Sequence, residues 1–278
     1  MRNIDANLND YMHQWGARCV PFLERKGQEL FETDQTAKAL DLLQQSAALR
    51  SVMLLGGENG TGKSTLCAHW VRELDPRAYL PLVITHSSLS ASGVLSSLLS
   101  KLGEQPALQR ALGLKRMEDA LGRLGPVTPV ILLDEAQNYA PSALEEIRLL
   151  LGLNLPDQPA FCLILIGDTY LLDTLRLQSR RALFSRIAVS YQLEPLRREQ
   201  VEAYLQHAMR LAGLDRPCFE ATAIEMIAAA AEGIPRTINL LARTAWIEAS
   251  RLKHNTIGTA HVQSALQLIP VAKMKISR

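Results

Sequence analysis

Ser51-Val52-Met53-Leu54-Leu55-Gly56-Gly57-Glu58-Asn59-Gly60-Thr61-Gly62-Lys63-Ser64-Thr65 is the stretch that decides the fold. It opens as a short apolar run, Ser51 to Gly56, which reads as a strand buried on both faces. Gly57 to Ser64 then match G-x-x-x-x-G-K-[ST]. Glycines at these spacings let the backbone curl so that successive N–H groups converge on phosphate oxygens. A helix-like stretch, Lys63 to Leu74, follows at once and would add the positive end of its dipole. The pattern assigns Lys63 to the β- and γ-phosphates and the Ser64 hydroxyl to magnesium. Gly57, Glu58, Asn59, Gly60, Thr61, Gly62, Lys63, Ser64 and Thr65 are therefore the expected nucleotide-binding residues, with ATP and Mg2+ as the expected ligands.

Three further apolar runs share the buried-strand character: Tyr79–Thr85, Val130–Leu133 and Phe161–Ile166. Helical patterns separate them, which predicts an α/β fold with a parallel sheet covered on both faces. Beyond Leu193 the pattern becomes helical, over 197–212, 219–231, 235–253 and 258–268. Gly213, Gly233 and Gly258 punctuate these segments, and Pro235 suits a helix start. The expected organisation is lead-in helices over 1–50, a core over 51–193, a helical lid over 194–270 and a basic tail over 271–278.

A second acidic motif supports the first. Val130-Ile131-Leu132-Leu133-Asp134-Glu135 is a strand ending in two carboxylates. Such a strand would deliver Asp134 to the magnesium beside Ser64, as a Walker B acid does. Glu135 would then orient and polarise the attacking water. The two acids next to a phosphate loop point to hydrolysis as well as binding.

The bulk numbers narrow the class. Apolar residues make up 47% of 278, enough for a packed core. Lys+Arg number 30 and Asp+Glu 28, a formal charge of +2, so a nucleic-acid surface would have to be a local patch. The four cysteines form no C-x-x-C pair and no zinc site is expected, which fits a reducing, cytoplasmic compartment. The N-terminus lacks the apolar segment of a signal peptide, and the longest apolar runs are too short to span a bilayer, so no membrane partner is expected.

Several stretches together resemble the ExeA-like branch of AAA+ ATPases. They are Asp134-Glu135-Ala136-Gln137-Asn138, Ile147-Arg148-Leu149-Leu150, Leu163-Ile164-Leu165-Ile166-Gly167, Arg186-Ile187 leading to Tyr191-Gln192-Leu193-Glu194-Pro195-Leu196, and Gly233-Ile234-Pro235-Arg236-Thr237-Ile238-Asn239. The branch includes the secretion-assembly ATPase ExeA and the transposition ATPases TniB and TnsC; MuB is a functional relative. The resemblance implies a P-loop, RecA-like AAA+ core followed by a small all-helical lid. It also implies catalytic arginines. Arg186 resembles an arginine finger reaching the γ-phosphate of a neighbouring subunit, with Arg180 and Arg181 close by as alternatives, so a homo-oligomer, ring or helical, is expected. Arg236 resembles the lid's sensor-2 arginine. The chain departs from the family at Gly167-Asp168-Thr169, where a Gly-Gln-type sequence is usual. A carboxylate cannot donate to phosphate, which leaves the sensor-1 position open between Asp168 and Thr169. Thr85, His86 and Ser87 end the second strand, where a polar group could restrain Glu135. Trp15, Pro21 and Phe22 could pack near the adenine or cap the core.

The resemblance implies two roles. In the first, the chain oligomerises with ATP on duplex DNA and recruits a transposase or another recombination protein. In the second, it assists assembly of a secretion complex through protein partners, without DNA. The stretch ends at Arg278 without the membrane helix and cell-wall-binding region expected of ExeA, which favours transposition at this stage. Lys101, Arg110, Lys115, Arg116 and Arg123, facing Glu104, Glu118 and Asp119, are the candidate DNA contacts, and would touch phosphates without reading sequence. The basic tail Lys273–Arg278 is a further candidate. Aromatics are only 5%, so stacking on single-stranded bases is not expected.

Overall fold

A computed structural model describes residues 4–23, 27–85, 89–153, 159–177 and 181–269. His86, Ser87, Arg180 and the tail from 271 onward lie outside them. The chain divides into two compact units. One comprises Glu32–Asn59 and Lys63–Leu193; the other comprises Met1–Phe31, Gly60–Gly62 and Glu194–Arg278.

The first unit is built on five parallel strands: β1 (Val52–Gly57), β2 (Tyr79–Ile84), β3 (Thr128–Leu133), β4 (Cys162–Ile166) and β5 (Ile187–Leu193), in the spatial order β2-β3-β4-β1-β5. The interior strands β1, β3 and β4 are buried at every position. Uninterrupted apolar sequence is what a strand covered on both faces requires. β2 forms one edge and carries Pro81, whose missing N–H is tolerated there. β5 forms the other edge and alternates half-buried and exposed residues. That period-2 pattern hides it from a search for apolar runs, and only its two ends, Ile187 and Tyr191 to Leu193, entered the family resemblance.

Around the sheet pack α2 (Asp34–Ala48), α3 (Lys63–Glu73), α4 (Ala91–Lys101), α5 (Arg110–Arg123), α6 (Pro141–Leu150), α7 (Leu171–Arg176) and α8 (Arg181–Phe184). The start of α2 is fixed by Thr33, whose hydroxyl accepts from the Thr36 N–H while Thr36 returns the bond, a reciprocal cap. Ladder register brings Leu55 opposite Ile166, and Leu133 opposite Leu165 and Ile84. The carboxyl ends of β1, β3 and β4 are thus level, which is where parallel sheets place ligands.

The second unit is helical: α1 (Ile4–Trp15), α9 (Arg198–Leu211), α10 (Ala221–Ala231), α11 (Pro235–Arg251) and α12 (Thr259–Leu268). Trp246 of α11 is fully buried at its centre. Tyr11 meets it edge-on at 6.3 Å, and Trp15 packs at 6.2 Å while its indole N–H donates to Ser250 Oγ at 2.9 Å. Phe22 packs on Phe219 at 5.9 Å. The N-terminal aromatics therefore belong to the core of the helical unit, which resolves the two options the sequence offered for Trp15 and Phe22. Among the described residues, no helix is long and apolar enough to cross a membrane.

Candidate nucleotide site

The phosphate loop joins β1 to α3. Gly60 and Gly62 adopt φ of 95° and 100°, a region closed to most side chains, and so the loop can curl as the sequence requires. Lys63, the first residue of α3, is buried, and its ammonium donates to Gly57 O at 2.7 Å and Glu58 O at 2.9 Å. These two carbonyls hold the charge against the loop that would carry the phosphates. Within the helical unit, the Arg236 N–H donates to Gly60 O at 3.1 Å, and a Cβ at Gly60 would lie 2.8 Å from Arg236 Cβ.

The acidic pair stands at the end of β3. Its ladder is extended by one bond, Asp134 N–H to Ile84 O at 3.0 Å, which fixes where Asp134 leaves the sheet. Asp134 Oδ2 accepts from Ser64 Oγ at 2.9 Å, so the strand-end acid and the loop hydroxyl meet as the sequence requires. A hydroxyl and a carboxylate are hard oxygen ligands, and magnesium commonly takes one or two protein oxygens with phosphate and water completing its shell. Among the described residues no cluster of three or more His, Cys, Asp or Glu could hold a metal alone. Two hard protein oxygens, Ser64 Oγ and Asp134 Oδ2, suit an ion shared with a substrate.

Two buried groups, Cys67 and Tyr139, lie near the Asp134 charge. The Cys67 thiol, on α3, is pushed up by desolvation first and by the nearby Asp134 charge second. The Tyr139 hydroxyl is pushed up to about 12 for the same two reasons in the same order.

Residues 47–175 match the family described as AAA domain. The chain is built on an AAA+ P-loop core. Over 203 residues, 71% of this chain, it is 31% identical to General secretion pathway protein A of Aeromonas hydrophila. The match spans 37% of that relative's length. Among solved structures, the ORC2 protein of Aeropyrum pernix, in ADPNP–ADP complexes, is similar with a TM-score of 0.68 and 16% identity, over 87% of this chain and 70% of that one. The RuvB Holliday junction branch migration motor of Thermotoga maritima gives 0.61 and 22%, over 89% and 73%. At these identities the likeness is one of fold.

Within the AAA+ core, Glu135 sits at φ 52° and ψ 44°. A left-handed conformation in a residue with a Cβ costs roughly 1–2 kcal/mol, and such outliers cluster at functional sites. Its N–H donates to Asp134 Oδ1 at 3.0 Å, and its carboxylate accepts from Gln137 Nε2 at 2.6 Å. Gln137 was quoted with the acidic motif, but sequence reasoning gave it no role. At the position usually held by a sensor amide, Asp168 Oδ1 accepts from the Tyr170 N–H at 3.0 Å, so this carboxylate closes its own turn.

The remaining expected residues fall as follows. Arg186 lies in the turn before β5, with its N–H on Leu183 O at 3.0 Å and its side chain partly exposed; it makes no ion pair among the described residues. Arg181, the first residue of α8, is exposed. The basic segment is largely engaged. Arg110 pairs with the buried Glu146 of α6 at 3.0 Å, Arg116 donates to Gln105 O at 2.7 Å, and Arg123 pairs with Glu104. Three of the five candidate DNA contacts thus have protein partners, leaving Lys101 and Lys115 outside these contacts.

Proposed function

We propose that this chain is a Mg2+-dependent ATPase, hydrolysing ATP to ADP and phosphate, and that it acts on protein partners in assembling a secretion complex. The contact between Ser64 and Asp134, with Glu135 next in the chain, carries the hydrolytic reading. The identity to General secretion pathway protein A carries the choice of partner class. That identity supports the secretion-type role better than the transposition role expected at first, and the engaged arginines of α5 lend no weight to a DNA face. The reading places the chain in the cytoplasm as a ring or helical homo-oligomer.

The roles follow from the residues. Backbone N–H groups of Gly57 to Thr65 and the Lys63 ammonium bind the phosphates. Ser64 and Asp134 would hold magnesium, which would supply positive charge to offset the charge of the phosphates. Glu135 orients the attacking water and takes its proton as oxygen bonds to the γ-phosphorus and the bond to the bridging oxygen breaks. Arg186 of a neighbouring copy and Arg236 stabilise charge on the transferring group.

The test is ATP turnover by the whole chain, with and without duplex DNA. Lys63→Ala should abolish nucleotide binding. Glu135→Gln should keep binding and lose turnover by about 100-fold or more, the size of a lost general base. Duplex DNA should leave turnover unchanged and remain unbound at physiological salt. DNA-stimulated turnover with ATP-dependent assembly on the duplex would replace the secretion-type reading with the transposition one.

A further inference from the structure

One side chain joins the acidic pair to the end of β4. Gln137 sits in the 3-10 turn Ala136–Asn138 directly after Glu135. Its Nε2 donates to Glu135 Oε2 at 2.6 Å, and its Oε1 accepts from the Asp168 N–H at 3.3 Å. An amide has one donor end and one acceptor end, and both are used here with the correct polarity. Flipping it would set an oxygen against a carboxylate and an NH2 group against an N–H. The bond to the ionised carboxylate is short, as charge-assisted bonds are.

The surroundings hold the amide there. Asn138 N–H donates to Glu135 O at 2.9 Å, and Ala136 is wholly buried, so the turn carrying Gln137 is pinned. On the far side the amide rests on bare backbone. A Cβ at Gly167 would lie 2.5 Å from Gln137 Oε1 and 2.6 Å from Leu171 Cδ2. Gly167 itself is tied to β1 through its N–H on Leu55 O at 3.1 Å, and β1 runs directly into the phosphate loop. The Asp168 turn is closed by Tyr170 N–H on Asp168 Oδ1 and by Leu171 N–H on Asp168 O at 3.3 Å.

We propose that Gln137 is a positioning residue for Glu135, clamping its carboxylate to the β4–α7 turn. This rests on the hydrolytic reading of Glu135. A carboxylate on an exposed, left-handed residue has rotamer freedom that a general base must lose before it can align water. Gln137 removes that freedom, because its other end holds the Asp168 N–H.

Two variants of the whole chain test the clamp. Gln137→Met fills similar space and can neither donate nor accept at these positions. Gln137→Glu keeps an acceptor for Asp168 but sets a second carboxylate against Glu135. Both should lower kcat about tenfold or more, with KM for ATP within about twofold, since only alignment is lost. Amide hydrogen exchange at Asp168 gives a second readout without turnover: faster in Gln137→Met, unchanged in Gln137→Glu. Wild-type kcat in either variant overturns the proposal. A loss of kcat matched by loss of ATP affinity also overturns it, because the whole site has then collapsed. Wild-type turnover in Glu135→Gln instead removes the hydrolytic reading itself, whereas an inactive Glu135→Gln beside a normal Gln137→Met removes the clamp alone.

Discussion

Tyr139 follows the turn that carries Gln137, and its hydroxyl is buried without a hydrogen-bond partner among the described residues. An unmade bond on a buried polar group costs about 1–3 kcal/mol, while an isosteric apolar replacement avoids that cost. Tyr139→Phe should therefore be neutral or stabilising by up to about 1 kcal/mol in denaturant unfolding. A loss of stability would mean that the hydroxyl is satisfied in solution. The same residues show what sequence alone makes legible. Lys63, Ser64, Asp134 and Glu135 could be read directly because phosphate and magnesium chemistry fixes their types at fixed spacings. Gln137 could not, since its partners are set by how β3 and β4 align: the amide finds Asp168 only after the sheet has formed. The sequence left the sensor-1 position open between Asp168 and Thr169; in the fold the Asp168 carboxylate accepts from the Tyr170 N–H, a contact no spacing announces.

At the scale of elements, α5 illustrates the same limit. Read along the chain, its basic residues suggested a surface for phosphates, but folding sets Arg110 against Glu146 of α6, which is 5% exposed. Removing one partner leaves a buried carboxylate short of its donors, which costs more than the pair is worth in isolation. Arg110→Ala should destabilise the protein by about 1–3 kcal/mol, the range for hydrogen bonds to charged groups. Lys115→Ala, on the same helix without that bond, should stay within about 0.5 kcal/mol, as surface changes do. Chemical unfolding of both variants checks the contrast; equal, negligible effects would return Arg110 to the solvent. The helices after Leu193 were legible almost to the residue because glycine and Pro235 punctuate them. β5 was legible only through the family resemblance around Arg186-Ile187 and Tyr191 to Leu193, because an edge strand with exposed residues at alternate positions lacks a continuous apolar run.

At the scale of the molecule, each unit has its own hydrophobic core. In the helical one, Trp246 packs on Tyr11 and Trp15 from the opposite end of the sequence, so no local pattern could announce them. The two units should also differ in their response to acid. His261 of α12 is buried, its Nε2 lies 2.9 Å from His254 Nδ1, and its Nδ1 accepts from the Gly258 N–H. Burial first, then the neighbouring His254, lowers the pKa of His261 below its ordinary value of 6.5, against a weaker opposing pull from Glu220 and Glu248. The folded state therefore favours the neutral ring. Its contribution to stability is complete above about pH 6.5, the unfolded value, and is lost as pH falls from there towards the lower folded value. Among the described residues, His261 alone of the groups with shifted pKa values has an ordinary value between pH 5 and 7. Hydrogen exchange resolved by peptide, corrected for intrinsic rates, should show α11 and α12 losing protection between pH 7.5 and 5.5 while β1, β3 and β4 keep theirs. His261→Gln, which cannot gain the proton, should flatten that loss. Equal loss in both units, or an unchanged profile in the variant, would assign the acid response to charges other than the buried His261.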